Sequence, residues 1–261
     1  MPDAINPDWS KDRNLQGLQD MIEPILMTTV RISTFNDSVG LTNATGFFFE
    51  HRNKLKLITS RHVVLDEETD HRPDRLEIEL HVSRKDLGQS VGFSIPLYQN
   101  GHNIWREAKD ANGLVDLVAI DIDKIALPDT VVYQAFSFDH LAPTDLRVEL
   151  GSTLMVIGYP LGFEDSLHHL PVARQAGLAS SFGLRFKGMG YFLVDARTHR
   201  GISGAPVVMR KPDAKPGDPF PWQLLGVHSA RLEAFSRDPE HDEILGLNAV
   251  WYADALAVFY T

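Results

Sequence analysis

Short apolar stretches separated by turn residues fill this sequence from residue 25 onward, and they restrict its fold more than any other feature. The stretches are rich in Val, Ile, Phe and Thr, which favour strands, and Gly, Pro, Asn and Asp stand between them. Short strands at this spacing are typical of β-barrels and β-sandwiches, so the sequence predicts an all-β fold. The candidate strands, about a dozen in number, are LMTTVRIST, TGFFFE, KLKLITS, RLEIELHV, VGFSIPL, LVDLVAIDI, STLMVIGYP, LPVARQAGL, GYFLVDA, APVVMR, QLLGVHS and LGLNAVWYA.

The strands fall into two sets, which indicate how the chain is divided. The first set predicts one β-domain over residues 25–125, and the second predicts another over residues 148–261. Residues 126–147 show no clear period and are expected to connect the two domains. Two further segments, 211–221 and 231–244, are rich in turn or polar residues and are expected to be loops.

Short helices are expected at both ends of the chain. Apolar residues recur every three or four positions between residues 12 and 24, so we predict an amphipathic helix there, within an N-terminal extension of residues 1–24. The last residues, ADALAVFYT, predict a short closing helix. The apolar residues at this spacing are Leu15, Leu18, Met21, Ile22 and, directly after the predicted helix, Ile25.

Composition limits the compartment and the partners. The chain contains no cysteine, which fits a reducing compartment. Its first residues, MPDAINPDWSKDRNLQGLQDM, lack the pattern of a secretory signal, and the apolar runs are too short for a membrane span. We therefore expect a cytoplasmic protein that does not bind membranes. The formal net charge of −10 argues against a nucleic acid partner, because phosphate binding needs a basic face.

The segment Gly201-Ile202-Ser203-Gly204-Ala205 is the first candidate for chemistry. A nucleophilic serine needs a tight turn that exposes its hydroxyl and aims nearby N–H groups at a developing oxyanion. Glycines at both ends of the turn permit this, because glycine adopts positive φ. The alternative is an ordinary β-turn that leads into the next strand.

Two further residues could form a catalytic group with Ser203. His62 directly follows an apolar strand, at the rigid position that a general base needs, although a structural role is the alternative. Asp116 interrupts the apolar stretch LVDLVAI, where a buried carboxylate needs a partner, although an aspartate facing water is the alternative. The three occur in the order His, Asp, Ser, which is the chymotrypsin order and differs from those of subtilisin and the α/β-hydrolases.

The sequence resembles the trypsin-like peptidases of bacteria, especially the HtrA/Deg protease domain and the V8-like glutamyl endopeptidases. The resemblance runs from about residue 44 to residue 255. It implies a chymotrypsin-like double β-barrel, with residues 25–125 and 148–261 as the two barrels. The segments that carry it are ATGFFFEHRNKLKLITSRHVV with the histidine, LVDLVAIDI with the aspartate, VIGYPLG, RQAGLAS, and VDARTHRGISGAPVV with the serine.

The resemblance also implies roles for these residues. Ser203 would attack the scissile carbonyl, His62 would accept its proton, and Asp116 would orient the imidazole. The main-chain N–H groups of Gly201 and Ser203 would bind the oxyanion. This sequence departs from the family pattern at two positions, because Ile202 replaces the usual Asp or Asn and Ala205 replaces a glycine.

Substrate preference is expected to depend on the strand LGVHSA, after the serine hairpin. His228 occupies the position where V8-like glutamyl endopeptidases and viral 3C-type peptidases carry a histidine facing P1, the residue before the cleaved bond. Thr198 coincides with a threonine of the V8-like enzymes, and Arg197 and Ser229 are further substrate-binding candidates. A histidine and a hydroxyl can donate hydrogen bonds to a carboxylate or carboxamide. We therefore expect Glu, or Asp or Gln, at P1; the alternatives are a small or aliphatic P1 and a structural His228.

The main expectation is an active serine endopeptidase that acts on polypeptide substrates. Two alternatives stay open. One is a peptide-binding or scaffold module of the same fold without turnover. The other is an effector peptidase that stays latent until a regulatory protein partner orders its loops. No metal-ligand spacing and no phosphate-loop pattern occurs in the sequence, so neither a metal nor a cofactor is expected.

Overall fold

The computed structural model describes residues 22–143, 145–231 and 246–261. The first domain contains a one-turn helix, α1, at Arg61–Val64. Its strands are β1 Thr29–Asn36, β2 Val39–His51, β3 Lys54–Thr59, β4 Arg75–His81, β5 Ser90–Pro96, β6 Tyr98–Gln99, β7 His102–Asn103, β8 Trp105–Asp110 and β9 Gly113–Ile122. Seven of them form an antiparallel sheet in the order β5-β4-β1-β2-β3-β9-β8, and β6 pairs with β7.

The sheet of the first domain curls around one core. Ile95 in the edge strand β5 and Trp105 in the opposite edge strand β8 belong to the same buried cluster as Leu57 in the interior strand β3. The hairpin β6–β7 joins the two edges, and there the Ile104 N–H donates to the Leu97 carbonyl at 3.0 Å. The first domain is therefore a curled sheet around a single core, as the double-barrel resemblance implies.

The second domain is a closed barrel of six strands. These are β10 Thr153–Gly158, β11 Val172–Leu178, β12 Tyr191–Asp195, β13 Pro206–Arg210, β14 Trp222–Arg231 and β15 Leu247–Tyr252. They pair in the order β10-β11-β12-β15-β14-β13, and β13 returns to β10. Leu154, Val156, Phe192 and Val250 are fully buried inside it. The predicted all-β double-barrel fold is confirmed.

A third buried cluster packs the two barrels together. It combines Phe47 of β2 with Val208 of β13, and it includes Phe136 from the connecting segment 126–147. That segment first follows the first barrel, where the Phe136 N–H donates to the Phe48 carbonyl at 2.9 Å, and it contains a 3₁₀ helix, Phe138–His140. The two barrels therefore share an apolar interface.

The chain ends in a 3₁₀ helix, Ala253–Tyr260, where a closing helix was predicted. Its Leu256 and Phe259 are buried in the cluster between the barrels, and Tyr260 Oη donates to the Phe49 carbonyl at 2.9 Å. The helix thus fastens the end of the second barrel to the first. Further 3₁₀ helices lie at Pro24–Thr28, Pro160–Gly162 and Phe186–Gly188.

Two predicted segments fall largely outside the described residues. They are the N-terminal helix at 12–24 and the polar loop at 231–244, while the predicted loop at 211–221 lies between β13 and β14. None of the helices within the described ranges is long and apolar enough to cross a membrane.

Candidate active site

The side chains of His62 and Asp116 form a hydrogen-bonded pair in the first barrel. Nδ1 of His62 lies 2.8 Å from Oδ2 of Asp116, and the main-chain N–H of His62 donates to Oδ1 at 3.0 Å. His62 stands in α1, immediately after β3. Its neighbour Arg61 fixes this short helix by donating from Nε to Glu107 at 3.0 Å and from Nη2 to Glu67 at 3.1 Å. The pair therefore holds the imidazole through Nδ1.

A β-bulge explains how Asp116 can occupy an apolar strand. Glu107 of β8 pairs with Val118, but the next residue, Ala108, pairs with Val115, so Asp116 and Leu117 have no opposite residue. Bulges redirect side chains and are frequent beside active sites. The bulge places the Asp116 carboxylate against α1, where it keeps 25% of its side-chain exposure.

The surroundings of His62 raise its pKa above the ordinary value of 6.5. Burial acts most strongly and lowers the pKa, because it disfavours the charged imidazolium. The hydrogen bond and the charge of Asp116, together with the charge of Asp66, act in the opposite direction and outweigh burial. The pair is therefore built to stabilise a protonated imidazole.

Ser203 lies in a tight turn before β13, and its side chain is half-buried. Gly201 and Gly204 have φ values of 92° and 85°, a region that favours glycine. A Cβ on Gly204 would overlap with Thr45 O and Thr59 Oγ1, and one on Gly201 would lie 2.5 Å from Tyr159 O. Both glycines are therefore required by conformation and by space.

The same turn presents two main-chain donors. The Arg200 carbonyl accepts a hydrogen bond from the Leu161 N–H at 2.5 Å. In a trans peptide the C=O and the following N–H point in opposite directions, so the Gly201 N–H points away from Leu161. Within the described part of the chain, neither the Gly201 N–H nor the Ser203 N–H has a protein acceptor. Such a pair of donors could bind an oxyanion.

Hydrogen bonds between the barrels, and one within the second barrel, bring these groups to one place. Ser229 Oγ of β14 donates to Oδ2 of Asp116. The carbonyl of His228, the residue before Ser229, accepts a hydrogen bond from the Gly204 N–H at 2.8 Å. Ser203 accepts through its own carbonyl from the Thr45 N–H at 3.0 Å. Within the described ranges, His62 has two hydrogen bonds to Asp116 and none to Ser203.

A second buried polar group lies beneath the serine turn. Thr198 Oγ1 donates to Asn248 Oδ1, and His228 Nε2 lies 3.1 Å from the same oxygen. The Asn248 amide nitrogen donates to the Ala196 and Gly246 carbonyls at 2.8 and 2.9 Å. All three side chains are at least 95% buried. The structure thus brings Thr198 and His228 together through Asn248, which the sequence analysis missed.

The other two predicted substrate-binding residues, Ser229 and Arg197, lie apart from the Thr198–His228 group. Ser229 is not part of the Thr198–His228 group, because its hydroxyl contacts Asp116. Arg197 is exposed, and its carbonyl accepts from Arg174 Nη2 at 2.8 Å.

The two departures from the family pattern have structural explanations. Ile202 is 1% exposed and belongs to the core of the second barrel, so an apolar residue suits this position. Ala205 does not adopt positive φ, and its carbonyl accepts from the His228 N–H at 2.8 Å.

One group of metal-ligand types occurs away from this site. Glu79, Glu164 and His169 place one possible ligand atom each within 4.8 Å of one another. The Arg31 guanidinium already lies 3.2 Å from Glu164 and 3.8 Å from Glu79. The two carboxylates therefore have a cationic partner within the protein.

Comparisons with known proteins identify the family and the fold. Residues 44–212 match the family model of the trypsin-like peptidase domain. The HtrA-type protease AlgW with a tripeptide has a similar structure, with a TM-score of 0.53 and 15% identity over 90% of this chain and 59% of that one. This chain thus spans about three fifths of that protein's length, and at this identity the likeness shows a shared fold.

Two structures of the Rv3671c protease from M. tuberculosis are also similar. The active form is 16% identical with a TM-score of 0.47, and the match covers 90% of this chain and 82% of that one. The inactive form is 16% identical with a TM-score of 0.45, with 99% and 94% covered. No curated protein matches the chain. Because the family model covers more than half of its residues, the chain belongs to the family of trypsin-like serine peptidases.

Proposed function

We propose that this chain is a serine endopeptidase that uses Ser203, His62 and Asp116. The observation that supports this most is the double hydrogen bond between His62 and Asp116, beside a glycine-bounded serine turn that has two main-chain donors. A held imidazole, a neighbouring hydroxyl and an oxyanion site together suit acyl transfer.

The reaction follows from the position of each group. Ser203 Oγ attacks the scissile carbonyl, and its proton passes to Nε2 of His62. The carbonyl oxygen becomes an oxyanion, which the Gly201 and Ser203 N–H groups stabilise. The imidazolium, which Asp116 stabilises, then gives its proton to the leaving amine, and an acyl-enzyme remains. Water attacks the acyl group by the same proton transfers in reverse order, and the free acid leaves.

Covalent labelling tests this proposal directly. A fluorophosphonate should label Ser203, as located by mass spectrometry, and His62→Ala should lose the label. His140→Ala, which removes a half-buried histidine outside the site, is the matched control and should keep it. Labelling of another serine, or labelling of Ser203 that does not depend on His62, would contradict the proposed triad.

We further propose that P1 is preferably Glu, with Asp or Gln next. The support is the pair of buried donors, Thr198 Oγ1 and His228 Nε2, which both face one oxygen, Asn248 Oδ1. The same pair suits a carboxylate or carboxamide oxygen of a substrate, which would share or replace that acceptor. A small or aliphatic P1 is the alternative.

A peptide library measures this preference. Thr198→Val keeps the shape but removes one donor, so cleavage after Glu should fall at least tenfold while any cleavage after Ala stays within about twofold, since a lost hydrogen bond to a charged group costs about 1.5–3 kcal/mol. Thr153→Val, the same change at an exposed position, is the control. Cleavage only after Leu, Val or Ala would rule out the acidic preference.

A peptide-binding module without turnover is the second candidate. It is favoured by one observation, the absence of a hydrogen bond between His62 and Ser203 within the described ranges. Such bonds often tighten only when substrate binds. Peptide binding without labelling would support the module, whereas labelling that appears only after a partner protein is added would identify a latent peptidase.

A further inference from the structure

The segment 163–171, which follows the 3₁₀ turn Pro160–Gly162, extends from the second barrel and lies against the first. His81 Nε2 of β4 donates to the His168 carbonyl at 2.7 Å. Tyr159, which is 2% exposed, has its Oη 3.2 Å from the His169 carbonyl and 3.4 Å from the Thr29 carbonyl. The segment is thus attached to both β1 and β4.

Four ionisable side chains, here termed the docking cluster, meet at this contact. Arg31 of β1 and Glu79 of β4 come from the first barrel, and Glu164 and His169 come from the segment. Arg31 Nη1 lies 3.2 Å from Glu164, and Nδ1 of His169 lies 3.4 Å from Glu79 and 3.6 Å from Glu164. Glu164 keeps only 11% of its side-chain exposure. A carboxylate this buried needs a cationic partner, and the Arg31 guanidinium of the first barrel supplies it, so this contact favours one docked position.

The docked segment leads directly to the serine turn. Leu161, three residues before Glu164, donates its N–H to the Arg200 carbonyl, and this bond directs the Gly201 N–H away from it. Leu161 has a φ of 56°, a conformation that a leucine rarely adopts unless its surroundings impose it, and its side chain is 69% exposed. Packing of its side chain therefore does not hold Leu161 in this conformation. Its main-chain hydrogen bond and the residues next to it along the chain hold it instead.

The two residues that flank Ser203, Ile202 and Gly204, carry no charge that could bind the turn to a partner. Ile202 is buried among apolar residues of the second barrel. The Arg200 carbonyl is held by Leu161, and the Gly201 carbonyl by Thr45. Leu161 is positioned in turn by Tyr159 before it, which Thr45 also holds, and by the segment that follows.

We propose that Arg31, Glu79, Glu164 and His169 are positioning residues for the oxyanion site, an inference that rests on the proposed function. The cluster holds segment 163–171 on the first barrel, and Leu161 transmits this position to the Gly201 N–H. The docking cluster thus keeps the oxyanion site in its active orientation, and it does not take part in binding the ground-state substrate.

Steady-state kinetics test the proposal through the separate values of kcat and KM. If undocking leaves about one molecule in ten with an ordered site, Glu164→Gln and Arg31→Glu should each lower kcat about tenfold, with KM within about twofold. The double variant Arg31→Glu with Glu164→Arg restores opposite charges and should return kcat to within about threefold of wild type. Glu50→Gln, which removes a carboxylate bonded to Lys124 that is more exposed than Glu164, is the control and should leave kcat unchanged.

Amide hydrogen exchange tests the same coupling without turnover. In a Ser203→Ala background, Glu164→Gln should speed exchange in the peptide 159–163 about tenfold, because Leu161, Gly162 and Phe163 all donate in the docked state. The charge-swapped pair should restore slow exchange. Unchanged exchange in the Glu164→Gln protein, or single variants whose kcat the swap does not restore, would overturn the proposal.

The two readouts separate this inference from the proposed function. A wild-type protein that neither cleaves nor labels at Ser203 counts against the peptidase assignment, whereas the exchange result still decides whether the docking cluster orders the turn. Normal cleavage with no response to the cluster variants counts against the docking inference alone.

Discussion

Asp116 is the residue whose surroundings are most specific to one role. Its carboxylate accepts from the His62 N–H, from the His62 ring and from Ser229, so donors from both barrels converge on it. A purely structural aspartate could be satisfied by the first barrel alone. The arrangement instead fixes which ring nitrogen of His62 carries the proton and leaves Nε2 to accept one.

The first prediction concerns this carboxylate. Asp116→Asn should lower kcat roughly 10⁴-fold, because the amide favours the wrong imidazole tautomer and no longer stabilises the imidazolium. The fold should persist, as checked by circular dichroism, and steady-state kinetics with an optimal peptide would measure the loss. Asp139→Asn, at an exposed aspartate, is the control. Near wild-type turnover of Asp116→Asn would remove Asp116 from the mechanism.

The second prediction follows from the raised pKa of His62. The general base must be neutral, so kcat/KM should fall as the pH drops through that pKa, with a midpoint above 6.5. Asp116→Asn removes the opposing charge while burial remains, so the residual activity should show a midpoint that is shifted to lower pH. Profiles between about pH 5 and 9 would measure both midpoints. A wild-type midpoint below 6.5 would contradict the assignment of His62 as the titrating base.

At the scale of single elements, the serine turn leaves no room for a side chain at either of its glycines. Our third prediction is that Gly204→Ala destabilises the protein by about 3–5 kcal/mol, since positive φ and overlap with Thr45 and Thr59 both oppose a Cβ. Gly217 has a similar φ of 89° but nothing within 4 Å, so Gly217→Ala should cost only about 1–2 kcal/mol. Urea unfolding of both variants would measure the difference, and equal losses would show that overlap does not matter at Gly204.

The strands show what the sequence can and cannot predict. Every strand proposed from apolar stretches is present, because those stretches supply the two barrel cores. Strand β8, WREAKD, was missed. Its buried residues, Trp105 and Ala108, stand three apart because the bulge at Glu107/Ala108 breaks the two-residue period. A pattern search for alternation therefore fails at the strand that helps to position Asp116.

Site residues that lie in a local sequence motif could be predicted. Site residues that come together only through the pairing of strands could not. Ser203 stands between glycines, and His62 ends a strand, so both are visible in the sequence. Asn248 is brought to Thr198 and His228 by its place in β15, between β12 and β14, which is a tertiary arrangement. One signal could have found it, because Asn248, like Asp116, is a polar residue within an apolar strand.

At the scale of the whole molecule, the site depends on how the barrels meet. The His62–Asp116 pair belongs to the first barrel and the serine turn to the second, so the distance between them is set by contacts across the interface. Besides the bond from Ser229 to Asp116, Ser60 Oγ donates to the His228 carbonyl at 3.2 Å. Both contacts end on neighbouring residues of β14, which thus aligns the two halves.

Thr45 also makes hydrogen bonds across this interface, and it carries the last prediction. Its Oγ1 donates to the Gly201 carbonyl at 2.7 Å and accepts from the Tyr159 N–H at 3.1 Å. Thr45→Val would leave both groups buried without a partner, at about 1–3 kcal/mol each, so we expect a stability loss of about 2–5 kcal/mol. Because the Gly201 N–H is one of the two proposed oxyanion donors, kcat should also fall at least tenfold.

Two matched variants separate the hydroxyl from the strand that carries it. Thr45→Ser keeps both hydrogen bonds and should cost only about 1 kcal/mol for the lost methyl group. Thr42→Val makes the same change at an exposed position of β2 and should alter kcat by less than about twofold. Urea unfolding and steady-state kinetics would be measured on all three proteins. If Thr45→Val unfolds and turns over like Thr42→Val, the first barrel does not order the serine turn through this hydroxyl.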